Sequence, residues 1–242
     1  LRRSSAASDV YKRQLVNRVA AEKYPDVKFT AFGGLCLNRP VGGLNPDAVE
    51  TSLKLGAKVI WLPTNTAENH YRKNGKEPSK GVVVTRDGKA VDELQDIFAL
   101  VKQYNAVLAT GHIGAEECFP VVEAARAAGV KKIVITHPEF WVVGMTPEQQ
   151  ADIVRKYDVL LESVYAQPVN GSYKINIPDN IAAMKAIGPE HFVLSTDSGQ
   201  TVNPYWYESY TTYFKAVSEA FTPEQVRKMT HDNPAWLLDI DQ

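Results

Sequence analysis

Three apolar runs in this 242-residue chain end on side chains that can bind a metal ion or carry a proton. AVLATGH ends at His112, KIVITH at His137 and FVLSTD at Asp197, each just after a small hydroxyl residue or a glycine. Two imidazoles and a carboxylate suit a divalent cation such as zinc. A cation with an open position acidifies its bound water and supplies hydroxide for attack on a carbonyl or phosphoryl centre. Singly, each residue has a structural alternative: His112 as donor to a nearby carbonyl, His137 as a cap on its strand, Asp197 as a cap on the Ser198–Gly199 turn. The shared position makes His112, His137 and Asp197 one candidate site of metal-competent or acid/base side chains.

Further residues are candidates for contact with substrate. His70, in NTAENH, follows a strand-like run on the same side. Glu139 and Trp141 lie just beyond His137, and Ser198 and Gln200 just beyond Asp197. Glu162, near the end of VLLES, is either another polar group of the rim or a partner within the core. His191 precedes a strand and His231 falls in the last helical segment, so both read as structural.

Positioning these residues takes a βα scaffold. Short apolar runs, Val27–Phe32, Ala57–Pro63, Ala106–Thr110, Lys132–Thr136, Val159–Ser163 and Phe192–Thr196, read as six buried parallel strands, because unbroken apolar stretches are covered on both faces. Helices separate them. NPDAVETSLKLG offers Asn45 as N-cap, Pro46 at the first helical position and Gly56 as a stop, and TPEQ at Thr146 and Thr222 has the spacing of a capping box. VDELQDIFALV places Leu94, Ile97, Phe98 and Val101 on one helical face. The stretch between Pro63 and Val91 exceeds an ordinary βα loop and contains a hairpin turning at Asp87–Gly88, either part of the active-site face or a surface ornament.

Composition excludes several classes. Lys+Arg of 27 against Asp+Glu of 28 leaves a net charge of -1, without the basic footprint nucleic acid requires. No apolar stretch reaches the roughly 18 residues that span a bilayer. Cys36 and Cys118 stand far apart, outside any thiolate zinc motif, which fits a reducing cytoplasm. The expected partner is a small-molecule substrate, and a homo-oligomer is compatible. LRRSSAASDVYKRQ, residues 1–14, lacks a signal-peptide apolar core and reads as a non-native or disordered tail resembling translated adapter sequence, with one domain over residues 15–242.

TGH, ITHPEF and STDSGQ on successive βα units, closing with HDNPAWLLDI, resemble the amidohydrolase superfamily of metal-dependent hydrolases. GGLNPDAVE, GAKVIWLPT and ATGH are similar to a branch carried as a domain of unknown function. The likeness spans Leu15–Ile240. It implies a distorted (β/α)8 barrel whose ligands come from its first, fifth, sixth and eighth strands, with His112, His137 and Asp197 matching the last three and the aspartate shuttling a proton. The sequence has no His-x-His, which the family carries on its first strand. The resemblance therefore implies an incomplete TIM-type barrel lacking its first two βα units, the open six-stranded parallel sheet being the alternative. It also implies a mononuclear Zn2+ site, held weakly and with impaired activity in this chain. The implied reaction is hydrolysis of an amide- or ester-like carbonyl; metal-dependent decarboxylation, or a non-catalytic fragment, is the alternative.

Overall fold

The computed structural model describes residues 5–169 and 172–240. The chain divides into two compact units, residues 1–133 and 134–242.

The first unit contains, in order, α1 (Ser5–Lys23), β1 (Gly33–Cys36), α2 (Pro46–Lys54), β2 (Ala57–Trp61), α3 (Glu68–Lys73), β3 (Thr85–Arg86), β4 (Lys89–Ala90), α4 (Leu94–Gln103), β5 (Val107–Ala109) and α5 (Ala115–Ala127). Residues 5–14, read from sequence as part of a non-native tail, form the first half of α1; residues 1–4 lie outside the described residues. Arg13 of α1 donates to the carbonyls of Leu55 and Gly56 at 3.2 and 3.4 Å, binding the open C-terminus of α2.

The first strand is displaced from its expected place. Residues 27–32 are not strand: Val27 and Phe29 are 62% and 51% exposed, and Asn17 takes both backbone groups of Ala31. The strand lies instead at Gly33–Cys36, where Gly34 faces the Trp61 ring; a Cβ there would stand 2.2 Å from it. Glycine weakens a strand locally, so propensity argued against this segment, while the approach of Trp61 requires it.

The expected cap, helix face and hairpin turn of this unit are present. The Asn45 side chain accepts from the amides of Asp47 and Ala48, and Gly56 ends the helix at φ 91°. Leu94, Ile97, Phe98 and Val101 are buried along α4. β3 and β4 form the hairpin, with Asp87 and Gly88 at φ 52° and 72° as a two-residue turn of this twist demands.

β6 (Lys132–Ile135) runs across the division between the units. The second unit continues through α6 (Pro147–Tyr157), β7 (Leu160–Val164), β8 (Ala166–Val169), β9 (Ser172–Ile175), α7 (Ile177–Ile187), β10 (Phe192–Ser195), α8 (Trp206–Ala220), α9 (Pro223–Arg227) and α10 (Asn233–Leu238). Both TPEQ segments form capping boxes, opening α6 and α9. The antiparallel hairpin β8–β9 was not expected from sequence, although Asn170–Gly171 between alternating residues is a hairpin signal. In the core of this unit the Tyr213 hydroxyl meets Ser163 Oγ at 2.7 Å and accepts from Asn180 Nδ2 at 2.8 Å. Ser163 therefore faces α8, and strand alternation turns Glu162 to the opposite face of β7.

The fold is α/β with a six-stranded parallel sheet ordered β1-β2-β5-β6-β7-β10. Its strands follow one another in chain order. A doubly wound sheet reverses at a switch point, whereas successive βα units wound in one direction give this series. Among the described residues no helix is long and apolar enough to cross a membrane.

Candidate active site

One local device recurs at three strand ends. β5, β6 and β10 are each followed by a threonine and then by a residue with left-handed φ: Gly111 at 63°, His137 at 27° and Asp197 at 48°. The turn sends the chain out of the sheet immediately after the strand. Among the described residues the other non-glycine positions with positive φ are aspartates and one asparagine at 48° to 53°, close to the ordinary left-handed range, whereas His137 at 27° falls short of it and so stands apart as a strained residue. At β5 the device uses glycine because a Cβ would lie 2.5 Å from the Leu62 carbonyl oxygen, and the imidazole comes one residue later, at His112.

In the first unit, His112 is half-buried and its amide donates to the Pro63 carbonyl at 3.0 Å. Asn69 Nδ2 donates to its carbonyl at 3.0 Å. His70 on α3 reaches the same ring: the two Nδ1 atoms are 2.8 Å apart, with ring planes inclined by 16°. One of these nitrogens must carry a proton and the other a lone pair. Burial, then the Lys76 charge, lowers the pKa of His70, favouring its neutral form. Sequence placed His70 on this rim; only the structure pairs it with His112.

In the second unit, His137 is 3% exposed and lies against the Phe140 ring, with centroids 4.0 Å apart. Burial depresses its pKa to about 4, so the ring is neutral at pH 7. Three carboxyl groups are shifted the other way. Burial raises Glu139 to about 8, with a further push from Glu162. Burial raises Glu162 to about 7, with a further push from Asp197, and burial raises Asp197 to about 6. Glu139 Oε1 is sealed from solvent and has no hydrogen-bond partner. The second unit thus holds a chain of carboxyls that titrate across the neutral range, a feature concentrated at functional sites.

The loop after β10 supports Asp197. Gln200 Nε2 donates to its Oδ1 at 3.3 Å, Asn203 Nδ2 donates to its carbonyl at 3.0 Å, and Ser198 Oγ donates to Ser209 Oγ at 2.9 Å. Ser198 and Gln200 also line a cavity of about 590 Å³ with Asn203, Tyr205 and Trp206. Trp141 is placed differently: it is 40% exposed, its amide donates to Gln167 Oε1 at 3.1 Å and its indole to the Pro168 carbonyl at 3.4 Å, fastening it to β8.

The donor types of His112, His137 and Asp197 fit a divalent cation. Among the described residues no three His, Cys, Asp or Glu side chains already stand together as a metal-binding group. Sequence reasoning missed Asn38, just past β1. Its Oδ1 accepts from the Thr64 and Thr66 amides and the Thr66 hydroxyl, while Nδ2 donates to Thr64 Oγ1 and Cys36 Sγ. A lone asparagine in a loop gives no sequence signal for such a role.

Residues 4–162 match the model of a family of unknown function, DUF6282. Among solved structures, an amidohydrolase from Pseudomonas aeruginosa is similar at TM-score 0.63 and 14% identity, covering 93% of this chain and 75% of its own. A metallo peptidase from Rhodobacter sphaeroides, liganded with a phosphinate mimic of the dipeptide L-Ala-D-Ala, is similar at TM-score 0.59 and 12% identity, covering 93% and 67%. A 2,6-dihydroxybenzoate decarboxylase from Rhizobium is similar at TM-score 0.53 and 15% identity, covering 98% and 80%. No curated protein matches. At these identities the likeness is one of fold.

Proposed function

The chain belongs to the family of unknown function DUF6282, and on that premise we propose that it is a metal-dependent hydrolase acting on a small amide- or ester-like carbonyl substrate. The observation that carries this reading is the repeated threonine and left-handed step, which sets His137 and Asp197 at equivalent strand-end positions and His112 one residue beyond. The hydrolases sharing the fold support it.

In this reading His112, His137 and Asp197 hold one divalent cation, zinc being the ion that suits their donors. Such an ion, when bound, supplies a Lewis acid and an acidified water. Asp197 moves the proton: with a pKa near 6 it is mostly ionised at pH 7 yet basic enough to accept, and Gln200 on Oδ1 assigns the transfer to Oδ2. His137, neutral at that pH, offers a lone pair and no competing charge. Ser198 and Gln200 orient the substrate beside Asp197, and Glu139 supplies a neutral carboxyl that can donate a hydrogen bond. The test is turnover of amide, ester and lactone panels with added Zn2+ or Mn2+. Metal-stimulated hydrolysis that falls about a hundredfold or more in Asp197→Asn is expected; unchanged turnover in that variant removes its assigned role.

Glu139 favours a second reading. A carboxyl that stays protonated at pH 7 can deliver a proton to a carbanion, as decarboxylation requires, and a decarboxylase shares the fold. Release of CO2 from aromatic or other carboxylic acids, without incorporation of solvent oxygen, would select it over hydrolysis.

A further inference from the structure

The first unit carries a second cavity, of about 410 Å³, that the chemistry above does not use. Its walls include Arg39, Gly42 and Gly43 from the segment after β1, and Gly81, Arg86 and Glu93 from the long insertion between β2 and α4. Both segments leave the C-terminal ends of parallel strands, the rim on which β5 carries His112. Among the described residues neither guanidinium has a hydrogen-bond or ion-pair partner from its side chain. Two arginines therefore face one cavity against a single carboxylate, Glu93.

The two walls are fastened to each other. Thr66 Oγ1 accepts from the Arg39 amide at 2.9 Å and donates to Asn38 Oδ1 at 2.9 Å. The insertion is bound to the same point: Val82 donates to the Thr66 carbonyl at 2.8 Å and Glu68 to the Val82 carbonyl at 3.0 Å. Gly81 packs on the Glu68 backbone so closely that a Cβ would stand 2.4 Å from its Cα. The backbone beneath Arg39 and the insertion bearing Arg86 are thus held in place without a ligand.

We propose that this cavity is a binding site for a compact oxyanion, the carboxylate or phosphate group of a small substrate, held by Arg39 and Arg86. Planar guanidinium forks match both groups through paired N–H donors, and the glycines leave room for an anion to approach the wall. The proposal extends the enzyme reading by giving its substrate a charged handle, and it fails separately because binding is measured, not turnover.

The test is calorimetric titration of the full chain, at low ionic strength, with inorganic phosphate and in parallel with acetate and succinate. Saturable binding that weakens with added salt is expected, and the tighter arm identifies phosphate or carboxylate as the preferred group. Arg39→Gln and Arg86→Gln each weaken it about tenfold or more, and Glu93→Gln, which removes the opposing charge, tightens it. His112→Ala leaves it unchanged. Absence of saturable binding, or equal affinity in the two arginine variants with unaltered melting temperatures, overturns the proposal.

Discussion

His137 and Asp197 stand at the same place on two strands: each lies two residues past the C-terminal end of a parallel strand, follows a threonine, and has a left-handed backbone, at φ 27° and 48°. The equivalence matters because residues far apart in sequence can share a task only if the scaffold presents them at a common level. Asp197 at 48° lies close to the ordinary left-handed range, whereas His137 at 27° falls short of it, and that strained residue is buried against the Phe140 ring.

The third strand end gives a stability prediction. At Gly111 a Cβ meets the Leu62 and Pro63 carbonyl oxygens at 2.5 and 2.8 Å, and φ is 63°. Gly111→Ala is expected to cost more than ~2 kcal/mol, combining backbone strain with a clash that backbone atoms cannot relieve. Urea unfolding of the variant measures it; a loss below about 0.5 kcal/mol would show that the strand ends can shift.

Stability should depend on pH with a definite sign. Glu139, Glu162 and Asp197 have folded pKa values of about 8, 7 and 6, above their ordinary values, so the folded chain retains protons that the unfolded chain has lost. Their contribution is full at low pH and declines as pH rises through 8. His137, lowered to about 4 from 6.5, acts oppositely, gaining stability as pH rises from 4 to 6.5. Above pH 6.5 only the carboxyl effect remains, so the melting temperature should fall between pH 6.5 and 8. Glu139→Gln should flatten the upper part of that fall; an unaltered slope would contradict the burial of its charge.

The buried Tyr213 network offers an energetic test. Tyr213→Phe removes the partner of Ser163 Oγ and one acceptor of Asn180 Nδ2, which still reaches the Val164 carbonyl at 2.7 Å. A loss of about 1–3 kcal/mol is expected, because the remaining groups are desolvated. Adding Ser163→Ala should cost less than the two single losses together, since both act on one hydrogen bond. Strict additivity in denaturant unfolding would show that the hydroxyl pair is not coupled.

Asn38→Ala should loosen the loops past β1 and β2. Its side chain accepts from the amides of both Thr64 and Thr66, so those two protons are expected to exchange with solvent faster by about tenfold or more. Protection unchanged at both amides would mean that the loops do not depend on the side chain.

The sequence by itself determined the parts governed by local rules. Asn45, the two TPEQ segments, the Asp87–Gly88 turn and five of the six sheet strands were readable because caps, turns and apolar runs act over a few neighbouring residues. It also placed His112, His137 and Asp197 at strand ends, because those residues stop the runs. Only the tertiary structure decided the rest. It moved the first strand to Gly33–Cys36, where Trp61 demands a glycine. It joined His70 to His112, bound two loops through Asn38, and linked Glu139, Glu162 and Asp197 by charge. Each of these depends on the distance between segments remote in sequence, and on the burial that folding imposes, neither of which a local pattern encodes.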